Sequence, residues 1–134
     1  MKTLVILVVL VFAFSCNKYS KQIQKNSTET AGAVIKFRET NYDFKLKEGE
    51  IVKYSYVFDN IGSSTLEVKD IISTCDCVKT ELKATKIEPG TSSEITVIFD
   101  TKNEVGYHDV SITVTTTAIN QEKVILKFTG TVVK

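Results

Sequence analysis

From residue 33 onward the chain is built from short runs in which apolar and polar side chains alternate, and that period of two constrains its fold more than any other feature. Val52, Tyr54, Tyr56 and Phe58 alternate with Lys53, Ser55 and Asp59, with Val57 the one break in contrast. Ile95, Val97 and Phe99 alternate with Glu94, Thr96 and Asp100. Val110, Ile112 and Val114 alternate with Ser111 and Thr113, and Leu126 and Phe128 with Lys127 and Thr129. Successive side chains of a strand point to opposite faces, so each run is expected to be half-buried. Tyr54, Tyr56, Phe58, Ile95, Val97, Phe99, Ile112, Val114, Leu126 and Phe128 are expected to point inward, because a one-residue slip would expose the whole set.

Turn chemistry separates the runs. The stretch Asn60-Ile61-Gly62-Ser63 carries two residues that tolerate positive φ. Pro89-Gly90 suits the centre of a type II turn, where Pro presets φ and Gly takes its positive value. No window after residue 33 holds a helical period. Seven or eight strands in about 100 residues predict an all-β fold, an antiparallel β-sandwich, with a small barrel as the alternative.

The first residues read differently. Lys2 precedes an unbroken apolar run over residues 4–14, and Ser15-Cys16 follows. This is the order of a secretory signal peptide, and the run is about half the ~20 residues a membrane-crossing helix needs. With a cysteine at the cut site it resembles a bacterial lipoprotein signal, although Ala13 stands where Leu is usual and Phe14 where a small residue is usual. The resemblance implies removal of residues 1–15, acylation of Cys16 and an exported, lipid-anchored chain. Asn17 after the cysteine, rather than Asp, implies sorting to the outer membrane. Residues 16–32 are polar and aperiodic, and are expected to serve as a tether between the acylated Cys16 and a domain over residues 33–134. Such a tether spans roughly 20–25 Å as a random coil.

About 119 residues would remain after cleavage, enough for one domain that folds without a disulfide lattice. The full chain has a formal charge of +1, and no block of Lys or Arg supports nucleic-acid binding. It has one His and no Trp. No Gly-x-Ser-x-Gly elbow, His-Glu-x-x-His pair or phosphate-cradling loop occurs, so neither an enzyme nor a cofactor is expected. With Cys16 assigned to lipid, Cys75 and Cys77 remain as an even pair for an oxidising compartment. On an extended strand their Cα atoms would lie about 6.6 Å apart. That is the upper edge of the usual disulfide range of about 4.4–6.8 Å, so closure calls for a bend at Asp76. A ring this small stabilises by only ~1.6 kcal/mol before strain. Three readings stay open: a bond that shapes a strand end, a redox pair, or two thiolates holding copper(I). Asp76 opposes thiolate formation by like-charge repulsion. His108, between Tyr107 and Asp109, is expected to be solvated.

Several patterns then arrive in one order: Tyr42-Asp43-Phe44, Glu48-Gly49-Glu50, Tyr56 through Gly62, Ser73-Thr74-Cys75-Asp76-Cys77, Ile87-Glu88-Pro89-Gly90, Ile95 through Asp100, Gly106, and Leu126 through Val132. Over roughly residues 36–133 this resembles the bacterial family called domain of unknown function fifteen seventy-three. Its members are often exported lipoproteins with a Cys-x-Cys segment. Here Asp76 stands between the cysteines where Gly is usual, and Val78 follows where Thr is common. The resemblance implies an Ig-like sandwich close in shape to PapD-like and cilia-associated domains, which act as binding or assembly modules. The expected role is non-enzymatic, with an envelope protein as partner, and thiol redox or copper binding is the alternative.

Overall fold

The computed structural model describes residues 32–134; Cys16, the signal and most of the tether lie outside the described residues. The described chain is all-β. Its strands are β1 (Ile35–Phe37), β2 (Asn41–Lys47), β3 (Ile51–Asn60), β4 (Leu66–Ser73), β5 (Val78–Leu82), β6 (Lys86–Ile87), β7 (Ser92–Asp100), β8 (Gly106–Thr116) and β9 (Lys123–Val133). One sheet has the order β1-β3-β7-β5, and the other β2-β9-β8-β4-β6. The sandwich expectation holds. The strands number nine because two short ones, β1 and β6, carry too few residues for alternation to reveal them. One pair also departs from the antiparallel rule: β2 runs parallel to β9, from Asn41 opposite Lys127 to Lys47 opposite Val133.

The alternation places the core. Tyr56, Phe58, Ile95, Val97, Phe99, Ile112, Val114, Leu126 and Phe128 are all buried between the sheets. Tyr54 is the exception, half-buried at the open flank, where its ring stacks on Tyr42 at 3.9 Å. The Tyr56 hydroxyl donates to the Lys127 carbonyl at 2.7 Å, which ties the two sheets together. Burial pushes its phenol well above the ordinary value, so it stays a neutral donor. Phe44, Phe99 and Phe128 meet at centroid distances of 4.9 to 6.1 Å. Gly130 faces inward on β9 opposite Phe44, and an added Cβ would lie 2.3 Å from the Phe44 carbonyl oxygen and 2.5 Å from its ring. The missing side chain is what lets Phe44 lie over β9.

β1 and β2 are one stretch of chain that changes sheets at residues 38–40. Arg38 holds the crossover: its N–H donates to the Val57 carbonyl at 3.0 Å and its guanidinium to the Asp59 carboxylate at 3.1 and 3.3 Å. The hydrogen bond from Arg38, then one from Ser92, hold the Asp59 carboxyl below the usual range. The Pro89-Gly90 turn forms as expected, with Thr91 N–H donating to the Glu88 carbonyl at 3.1 Å and Gly90 at φ 76°.

Candidate functional site

The cysteines sit in the turn that carries the chain from β4 in one sheet to β5 in the other. Ser73 Oγ accepts from Cys75 N–H at 3.2 Å and donates to the Cys75 carbonyl at 3.0 Å. Thr74 N–H donates to the Ser111 carbonyl at 3.0 Å, extending the contact with β8. Cys75 and Cys77 are joined as a disulfide with Cα atoms 5.2 Å apart, closer than an extended strand allows, and the bend falls at Asp76. Cys77 N–H donates to Cys75 Sγ at 3.1 Å. Both residues are half-buried against the core, and Cys77 borders a cavity of about 180 Å³ with Ile51, Lys79, Ile98 and Asp100. A disulfide sulfur is neither a thiolate nucleophile nor a thiolate ligand for copper(I), so those two chemistries require prior reduction. The bonded pair can act only as an acceptor of electrons from an attacking thiolate. Among the described residues no group of three or more His, Cys, Asp or Glu is placed to hold a metal ion.

His108 is not the solvated residue its neighbours suggest. It is half-buried, with its ring edge-on to Phe99 at 5.0 Å, and its Nε2–H donates to the Glu104 carbonyl at 2.6 Å. It braces the loop before β8. The Cys75–Cys77 bond closes the turn between β4 and β5. Replacing Cys75 and Cys77 by Ser is expected to lower stability by no more than about 2 kcal/mol, because so small a ring removes little unfolded-state entropy. Denaturant unfolding of the double variant checks this, and a loss above about 4 kcal/mol would show that the turn does more.

The feature sequence reasoning missed lies at the end where the chain enters from residue 32. Ile35, Phe37 and Val124 floor an open cavity of about 630 Å³, with Ile61, Ile125, Lys36, Lys123 and the amides of Asn120 and Gln121 around it. Asn120 fixes its shape by pairing with both backbone groups of Ile35, accepting from the N–H at 3.0 Å and donating to the carbonyl at 2.8 Å. Asn60 does the same behind it: fully buried, it donates to the Ser64 and Ile87 carbonyls at 2.8 and 2.9 Å and accepts from Gly62 N–H at 3.1 Å. Ile61 is 59 % exposed and Ile125 57 % exposed, large apolar side chains left in water at the rim. Nearby, Ile119 is exposed to the same degree, and its N–H donates to the Ala33 carbonyl at 2.9 Å. The signal was present for two of them. Ile125 occupies a polar-parity position on β9, and Ile61 is an isoleucine inside a turn.

Two sheets in this order define an Ig-like, PapD-like sandwich, and solved structures with the same fold bear this out. A protein of unknown function from Porphyromonas gingivalis W83 matches with a TM-score of 0.69 and 17 % identity, over 78 % of this chain and 49 % of that one. The ASH/PapD-like domain 7 of human CEP192 matches with a TM-score of 0.62 and 13 % identity, over 77 % of this chain and 87 % of that domain. The secreted serine protease VesC from Vibrio cholerae matches at 0.54 and 9 % identity, over 74 % of this chain and 23 % of the protease. The chain thus spans about half the length of the Porphyromonas gingivalis protein. Residues 35–132 match the family described as a protein of unknown function, DUF1573, and the chain belongs to that family. No curated protein matches it.

Proposed function

We propose that the chain is a lipid-anchored module of the bacterial cell envelope that binds another envelope protein and catalyses no reaction of its own. The observation that carries the reading is the open cavity, floored by apolar side chains and rimmed by exposed Ile61 and Ile125. Clustered apolar side chains left in water favour a protein contact over a small polar substrate. The cavity borders the end of the domain at which residue 32 enters. Anchorage is assigned to Cys16, with the domain in the periplasm at the outer membrane. Several acyl chains, each methylene adding ~0.8 kcal/mol, make release slow. Replacing Cys16 by Ser is expected to move the protein from the membrane fraction to an unprocessed or soluble form. Continued processing and membrane fractionation of Cys16→Ser would end the lipid assignment.

Partner binding is tested by a photoreactive residue placed at Ile125 in living cells. It is expected to crosslink a discrete envelope protein, and Ile61→Asp is expected to cut the yield at least about tenfold. The same probe at Lys79 on β5 serves as the comparison. Indistinguishable crosslinking from positions 125 and 79 would contradict the reading. The second reading, thiol redox or copper(I) work at Cys75 and Cys77, draws on the Cys77 N–H that would stabilise a Cys75 thiolate after reduction. A thiol pKa below about 7, or copper(I) retained stoichiometrically through purification, would favour it.

A further inference from the structure

β2 is an open sheet edge whose charges match a second copy of itself. Backbone groups of alternate residues point to opposite sides of a strand. Lys127 N–H donates to the Thr40 carbonyl at 2.7 Å, and Glu48 N–H to the Val133 carbonyl at 2.8 Å. The even-numbered residues of this stretch therefore bond β9, and the N–H and C=O groups of Asn41, Asp43 and Lys45 point away from the sheet. The outward groups of Lys47 are already used, its N–H by Glu50 Oε2 at 2.7 Å and its carbonyl by Thr101 Oγ1 at 2.9 Å. β2 has no proline, and its register with β9 is uninterrupted. β1 ends at Phe37, so beside β2 the facing sheet is one strand narrower. Among the described residues no strand pairs with this side of β2, and an unbulged edge of seven residues is a pairing template unless something blunts it.

We infer that two copies of this chain pair through β2, antiparallel, with Phe44 opposite Phe44, joining two five-stranded sheets into one. In this register Asp43 faces Lys45 of the second copy and Lys45 faces its Asp43, while Asn41 faces Lys47. The side chains of Asn41, Asp43, Lys45 and Lys47 are exposed, so these pairs form on the solvent face. The Asp43 carboxylate also accepts from Thr129 Oγ1 at 3.2 Å, which fixes it on that face with acceptor capacity left. The odd residues, whose backbone groups point outward, fall opposite one another, giving about four inter-chain backbone hydrogen bonds. Shifting the register by two residues one way sets Asp43 against Asp43, and like charges directly opposite are destabilising. The other way sets Lys45 against Lys45 and Asp43 against Lys47, whose outward backbone groups are already used, so fewer inter-chain hydrogen bonds form. Charge and the free backbone groups together thus select one register, and its two-fold symmetry closes the assembly at two copies. The edge of β5 is shorter, five residues. Thr40, which lines the isoleucine-rimmed cavity, falls opposite Glu48 of the second copy, so the pairing abuts one side of the cavity, but it does not depend on the partner proposed there.

Sedimentation equilibrium of the full chain in neutral detergent tests the pairing. The parent is expected to be dimeric. Asp43→Lys, which sets lysine against lysine, is expected to weaken association at least about tenfold. The charge swap Asp43→Lys with Lys45→Asp rebuilds both pairs and is expected to restore association to within about threefold of the parent. A parent that stays monomeric at about 1 mM, a dimer indifferent to Asp43→Lys, or a charge swap that fails to recover association overturns the inference.

Discussion

Phe99→Ala is expected to cost about 3–5 kcal/mol, a large share of the 5–15 kcal/mol that holds a typical domain folded. Phe99 lies on β7, a central strand, with 1 % of its surface exposed. Its ring meets Phe44 at 5.6 Å, Phe128 at 6.1 Å and His108 at 5.0 Å. Truncation therefore removes the contact that joins β2 and β9 of one sheet to β7 of the other, and also unseats the His108 brace. Backbone ladders on both sides of β7 hold the site open, so the cavity cannot collapse fully, which puts the cost at the high end of the range. Urea unfolding measures it. A loss below about 1 kcal/mol would mean that β7 does not pack as described.

Gly130→Val is expected to be comparably damaging, about 3 kcal/mol or more, for the opposite reason. A Cβ at Gly130 would sit 2.3 Å from the Phe44 carbonyl oxygen, which is backbone and cannot swing aside. β2 must then move away from β9 or Phe44 must leave the aromatic cluster. The expected signature is lower stability together with loss of the near-ultraviolet circular dichroism of the packed rings. A Gly130→Val variant with parent stability would show that β2 does not lie against β9 in this register.

The alternation of the long strands made most of the core legible. β3, β7, β8 and β9 each bury one face against the other sheet, and a half-buried strand writes that in its sequence. Tyr54 fits the same parity yet is only half-buried, because β1 stops short of it and leaves that flank open. The parallel pairing of β2 with β9 had no local signal, since it joins segments more than 80 residues apart and depends on the sheet change at Arg38. The cysteines were visible as a pair and the bend at Asp76 followed from the reach of the chain. Their position as the link between sheets did not. The cavity at the tether end was the least legible, because it is assembled from loops, a strand end and one out-of-parity isoleucine that only the fold brings together.

Crosslinking from position 125, compared in three backgrounds, asks most directly whether the domain acts by holding a protein or through its sulfurs. The parent and the Cys75→Ser/Cys77→Ser variant are expected to crosslink the same envelope protein with yields within about twofold, and Ile61→Asp is expected to lose at least about tenfold. Full crosslinking by Ile61→Asp together with its loss in the double serine variant would contradict the protein-binding account and place the function at the disulfide.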